Sequence, residues 1–288
     1  MRIFAFVLID THTHFYDEWL LPDAEEAIRR AQEAGVGKMI QADVDSRERP
    51  AMWEIGRRHP GVVFQMLGLY PGSVTTENWK DELDQVYTLA EQTTRSEATQ
   101  GVWGISPPVS ETFFGTNAPA FVAIGEIGLD YHEGREFEKE QKEVLRQQLE
   151  LAARLDLPIN IHLRDAWEDL FAILEDCRHL HLRGNLHCFT ASYEVYDRAR
   201  RCADLSVGIG GVVTFKNSRL AEAVARIPLE KILLETDAPY MAPTPYRGRR
   251  NESAFLPLIA RKVAEVKGVS LQQIEETTTH NAETLFGI

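Results

Sequence analysis

Short apolar runs recur along the chain, and each is followed by a segment with helical periodicity. This alternation limits the fold more than any composition value does. Strands separated by helices must run parallel, and eight such units close into an α/β fold, the (β/α)8 TIM barrel. The runs are Ile3 to Ile9, Gly37 to Asp43, Val62 to Leu69, Phe121 to Glu126, Pro158 to His162, Asn185 to Phe189, Leu205 to Gly210 and Lys231 to Asp237. Helices are expected over Pro22–Ala34, Ser46–Arg58, Asn78–Ala90, Arg135–Leu155, Asp165–Cys177, Ala191–Cys202 and Ser218–Arg226, with two more at Asn251–Val266 and Ser270–Phe286. No linker divides residues 1–288, so one domain is expected. A single segment breaks the rhythm. Glu91 to Ala120 is polar, rich in Thr, Gly and Pro, and longer than an ordinary helix-to-strand loop. Such loops lie on the N-terminal face of a barrel, so the insertion is expected to serve stability or a contact rather than chemistry.

Composition closes off several classes. A hydrophobic content of 44% with 26% charged residues is that of an ordinary globular protein. No apolar stretch reaches the length a membrane helix needs, and the N-terminal run is too short for a signal segment, so no membrane contact and a cytoplasmic location are expected. Cys177, Cys188 and Cys202 are odd in number and show no paired metal spacing, which argues for reduced thiols. The formal charge of −13 argues against a broad footprint on duplex nucleic acid, although a metal centre can still draw an anion locally.

His12 and His14 follow the first strand two residues apart, and side chains so spaced in an extended chain face the same way. The pair could hold one metal ion or could be ordinary polar chemistry at a strand end. Glu126 ends the fourth run, His162 the fifth and Asp237 the eighth, while His187 lies toward the end of the sixth. Each taken singly has an equally good structural reading. Together, several imidazoles and carboxylates at one buried rim would leave polar groups unsatisfied without a common partner, which favours metal. Four imidazoles and two carboxylates exceed what one four-coordinate ion takes. Two divalent ions are therefore expected, with a carboxylate such as Glu126 able to bridge them. The resulting positive centre suits an anionic substrate.

These residues lie in long ordered motifs. His12-Thr-His14, Val122-Ala-Ile-Gly-Glu-Ile-Gly-Leu-Asp-Tyr131, Leu157-Pro-Ile-Asn-Ile-His-Leu-Arg-Asp165, Leu186-His-Cys-Phe-Thr190 and Leu234-Glu-Thr-Asp-Ala-Pro-Tyr240, with Pro243 to Glu252, resemble the TatD metal-dependent deoxyribonucleases of the amidohydrolase superfamily across nearly the whole chain. The resemblance implies a barrel hydrolase that cuts phosphodiester bonds in DNA, often as a 3′–5′ exonuclease on single strands, with Mg²⁺, Mn²⁺ or Zn²⁺. It also implies that His12, His14 and Asp237 hold one ion, Glu126 bridges, and His162 and His187 hold the other. One position departs from the family pattern. Where relatives commonly carry a histidine after the third strand, this chain has Tyr70, which can hydrogen-bond a phosphate but cannot act as a neutral-pH acid.

Asp237 is expected to hold and deprotonate the attacking water. Arg164, Arg247, Arg249 and Arg250 are candidate phosphate contacts or solvated charges. Tyr131 and Tyr246 are candidate base-stacking rings or packing residues. Cys188 is placed in the core, Asp10 is placed behind one of the first two histidines, and His59, His132, His179, His181 and His280 receive no chemistry. The substrate expected is single-stranded nucleic acid, with no obligatory protein partner. The alternatives are hydrolysis of another ester or amide, or a metal-stabilised binding module without turnover.

Overall fold

The computed structural model describes residues 7–100 and 121–288, with side chains described at 7–92 and 121–288. Eight parallel strands neighbour one another in chain order: β1 (Leu8–Thr13), β2 (Val36–Gln41), β3 (Val63–Leu67), β4 (Phe121–Asp130), β5 (Ile159–Arg164), β6 (Arg183–Leu186), β7 (Asp204–Ile209) and β8 (Ile232–Leu234). A bridge between Thr13 and Ala238 joins the last strand's extension to the first. There Asp237 N–H donates to His12 O at 2.9 Å and His14 N–H donates to Ala238 O at 2.8 Å, so the closure itself brings His12, His14 and Asp237 together. The result is a (β/α)8 TIM barrel.

Helices α1 (Ala24–Glu33), α2 (Arg49–Arg58), α3 (Trp79–Gln100), α4 (Glu138–Leu155), α5 (Trp167–Asp176), α6 (Tyr193–Ala199) and α7 (Leu220–Arg226) form the outer layer, followed by α8 (Leu256–Lys267) and α9 (Leu271–Phe286). Their buried faces meet the outward side chains of the strands, among them Leu8, Met39, Ile159, Ile161, Leu186, Ile232 and Leu234. Because strand side chains alternate, Leu233 between two of these points into the barrel, and with Ile9, Ile40, Met66 and Ala123 it forms an inner apolar layer that also includes Ala282 and Phe286 of α9. Toward the opposite rim the same alternation turns Asn160, Asn185 and Glu235 inward, all of them fully buried. The barrel is thus apolar at one end and polar at the other.

Several strand ends differ from the sequence reading. Glu126 was expected to end its strand, but β4 shifts register between Ile124 and Ile127 and continues to pair through Asp130, which faces Arg164. The shift lets Glu126 enter the barrel while its N–H donates to Asp43 O at 3.1 Å. His187 and Asp237 lie beyond their strands, which end at Leu186 and Leu234. The presumed insertion is helical in its first part, because α3 runs to Gln100. Residues 101–120 of it, and Ile3 to Phe6 of the first run, lie outside the described residues. No helix among the described residues is long and apolar enough to cross a membrane.

Candidate metal centre

The structure brings His12, His14, Glu126, His162, His187 and Asp237 to one rim. Glu126 stands between two sets of imidazoles. Its Oε1 lies 2.8 Å from His162 Nδ1 and 2.9 Å from His187 Nε2. Its Oε2 lies 3.3 Å from His12 Nε2 and 3.8 Å from His14 Nε2. Asp237 Oδ1 faces the second set, 3.8 Å from His12 Nε2 and 3.5 Å from His14 Nε2. The His12 and His187 rings stack with centroids 3.9 Å apart, which joins the two sets into one cluster.

Asn160 Nδ2 donates to Asn185 Oδ1 at 3.0 Å, which turns Asn160 Oδ1 toward His12, where it accepts from Nδ1–H at 3.0 Å. Tyr16 donates its hydroxyl hydrogen to Ala42 O at 2.6 Å, so its oxygen accepts from His14 Nδ1–H at 2.7 Å. His162 donates Nε2–H to Asp130 Oδ2 at 2.9 Å. When neutral, each of these imidazoles has one nitrogen spent and turns a lone pair inward. His12 Nε2 and His14 Nε2 lie 3.1 Å apart, as do His162 Nδ1 and His187 Nε2, with carboxylate oxygens beside both pairs. At the His12–His14 pair the acceptors converge with no hydrogen between them and need a cation, while at the second pair His187 Nδ1 is buried without a hydrogen-bond partner; the oxygen–nitrogen donor set suits divalent ions. Without a cation the carboxylates draw a proton onto an imidazole instead. Burial works against it, yet Asp130 and Glu126 push His162 up to about 9. Burial and His187 push His12 down to about 4 against the pull of Glu126. Glu126 itself is held well below the usual carboxylate range, since the imidazoles outweigh the cost of burying it.

The supporting residues were partly missed by sequence reasoning. Asp130, Asn160 and Tyr16 were not singled out, although Asp130 lies an even number of positions from Glu126 and Asn160 lies two before His162. Replacing Asp130 with Asn should leave His162 without its charged acceptor and weaken metal affinity about 10- to 100-fold, readable by competition against a chromophoric chelator. Glu235 was also missed. It is fully buried by the barrel, its Oε1 accepts the Cys188 N–H, and burial pushes its carboxyl well above the usual range. A Cβ on Gly208 would sit 1.8 Å from Glu235 Oε2, so a side chain there would displace that carboxylate.

The placements of Cys188 and Asp10 differ from expectation. Cys188 has φ +45°, which departs from strand alternation and turns it to the site, where burial and the nearby Asp237, Glu235 and Glu126 carboxylates push its thiol well above the usual range. Asp10 does not touch an imidazole ring: it accepts from Thr236 N–H at 2.9 Å and Thr236 Oγ1–H at 2.6 Å, tying β1 to the segment that carries Asp237. The Tyr70 hydroxyl donates to Asp130 Oδ2 at 3.4 Å and its ring packs edge-on against His162, so its hydrogen is directed at the support of His162. Arg250 is engaged by Asp23 at 2.5 Å and by the Trp19 carbonyl. Arg247 lies over Phe215. Tyr131 donates to Asp169 under the Arg135 guanidinium, and Tyr246 stacks on Phe255. Arg164 and Arg249 are exposed, and among the described residues no hydrogen bond or ion pair engages their side chains.

A closed parallel barrel with a buried cluster of imidazoles and carboxylates at the C-terminal ends of its strands defines a metal-dependent hydrolase. The chain belongs to the TatD-related DNase family, whose model matches residues 9–287. It is 34% identical over 285 residues to an uncharacterized metal-dependent hydrolase of Bacillus subtilis, YabD, a match covering 98% of this chain and all of that one. It is 32% identical over 275 residues to the 3′–5′ ssDNA/RNA exonuclease TatD of Pantoea ananatis, covering 92% of this chain and 94% of the relative. Among solved structures, the TatD homologue YJJV of Escherichia coli superposes with a TM-score of 0.81 at 26% identity, covering 99% of this chain and 100% of that one.

Proposed function

We propose that this hydrolase removes nucleotides from the 3′ end of single-stranded DNA, and of RNA, by attack of water on the phosphodiester, using two divalent ions. The observation that carries the reading is Glu126, whose two carboxylate oxygens face different imidazole pairs, as a bridge between two ions must. The name of the Pantoea relative supports the choice of substrate. His12, His14 and Asp237 would hold one ion and His162 and His187 the other, with Glu126 shared. Bound there, Mg²⁺, Mn²⁺ or Zn²⁺ would supply Lewis acidity toward the water and the phosphate oxygens.

The chain's own residues supply the rest. Asp237 is deprotonated at neutral pH, because His14 and the other imidazoles outweigh the cost of burying it, and it is positioned to accept the proton of the attacking water. Asp130 and Tyr70 fix the His162 ring, and Asn160 fixes that of His12. Arg164 and Arg249 carry unspent guanidinium donors for the phosphate chain outside the scissile bond. Incubation of the protein with end-labelled single-stranded DNA and RNA across the three metals, with chelator as control, should give stepwise shortening from the 3′ end. No cleavage with any metal would move the reading to another ester or an amide.

A further inference from the structure

The large apolar side chains left exposed on this rim come from two neighbouring loops: Trp19 (57% exposed) and Leu21 (43%) after β1, Tyr240 (43%) and Met241 (44%) after β8. One carboxylate ties the two loops, as Asp17 Oδ1 accepts the Trp19 backbone N–H at 2.8 Å and Asp17 Oδ2 accepts the Tyr240 hydroxyl at 2.6 Å. Arg250 fixes the other side of the same turn by donating to Trp19 O at 2.8 Å. From the metal cluster outward the rings form a continuous wall: Tyr240 stands edge-on to His14 with centroids 6.0 Å apart, and Trp19 follows at 6.2 Å from Tyr240. An aromatic surface carried on anchored backbone beside a site that takes a charged group loses less entropy when a flat partner stacks on it than one on a free loop.

The charge around the wall selects the partner. Asp17 and Glu18 lie in the same turn as Trp19, and Arg250 is spent on Asp23, so this turn offers phosphate two carboxylates and no unpaired cation. The exposed guanidiniums of Arg164 and Arg249, which no carboxylate engages among the described residues, can attract it. An uncharged planar ring attached to an anion satisfies both conditions. In a duplex both faces of a base are already stacked, which leaves the unpaired strand.

We propose that Trp19 and Tyr240 form a stacking wall for an unpaired nucleobase of the strand whose phosphate lies at the metal cluster. The proposal rests on the nucleic-acid reading of the site. Its test is separable from hydrolysis, because it measures binding of nuclease-resistant phosphorothioate strands by anisotropy to the metal-loaded protein. A short thymidine strand is compared with an abasic strand of equal length and charge, for the wild type, Trp19→Ala and Trp19→Phe. The wild type should prefer the thymidine strand by roughly 5- to 100-fold, Trp19→Ala should lose most of that preference, and Trp19→Phe should keep most of it. The dependence of affinity on salt should be unchanged by Trp19→Ala, since no phosphate contact is lost. Equal binding of the two strands by the wild type, binding of neither, or an undiminished preference in Trp19→Ala would overturn the proposal. A dimer that dissociates on Trp19→Ala without any change in strand preference would overturn it too, by assigning the wall to a second copy of the chain. Failure of the nuclease reading would show separately, as absence of cleavage of unmodified strands.

Discussion

Glu126→Gln should lower hydrolysis by about a thousandfold or more, close to 4 kcal/mol of transition-state stabilisation. The reason is geometric. Gln keeps the shape of Glu126, but it replaces one carboxylate oxygen with an amide nitrogen that cannot ligate, and it removes the charge that both imidazole pairs face. The fold should survive, since the backbone of Glu126 is held by Asp43 whatever side chain it carries. Initial rates under saturating metal, alongside circular dichroism and thermal melting, separate these two statements. Activity within a few fold of wild type would remove Glu126 from the centre of the account.

Asp237→Asn should cost roughly 10²- to 10⁴-fold in turnover, the range for loss of a positioned base. Asn is the right substitution here. Asp237 has φ +56°, a conformation that Asn and Asp tolerate better than other side chains, so the variant keeps the turn that carries Tyr240 and the barrel closure. Asp237→Ala would add backbone strain to the chemical change and confuse the two. A variant with an unchanged melting temperature and full activity on single-stranded DNA would show that the proton leaves by another route.

Much of the fold was legible in the sequence because parallel strands buried on both faces are written as continuous apolar runs, and this chain repeats one unit. The metal cluster was legible for a related reason, as its members follow those runs and the barrel gathers strand ends at one rim. What was not legible belongs to places where the backbone leaves regular alternation. Cys188 and Asp237 have positive φ, and β4 shifts register around Glu126, so counting by twos from a strand misplaces Cys188 and ends β4 too early. The supporting residues were missed for a different reason. Asn160, Asn185 and Glu235 each stand two positions before His162, His187 and Asp237, on the same inward face. In sequence they look like interruptions of a strand, and only closure of the barrel reveals that Asn160 reaches His12 from far along the chain. Tyr70 carries the same lesson. Its phenol suggested a phosphate contact, while its position beside Asp130 gives it a part in holding His162.

The claim on which the rest depends is that Glu126 joins two ion sites. It is tested most directly by the metal-to-protein ratio, measured by inductively coupled plasma mass spectrometry after loading with Mn²⁺ and removing free metal. About two ions per chain are expected for the wild type, with a clear loss of bound metal in Glu126→Gln. One ion or fewer per wild-type chain under metal-replete conditions would contradict it.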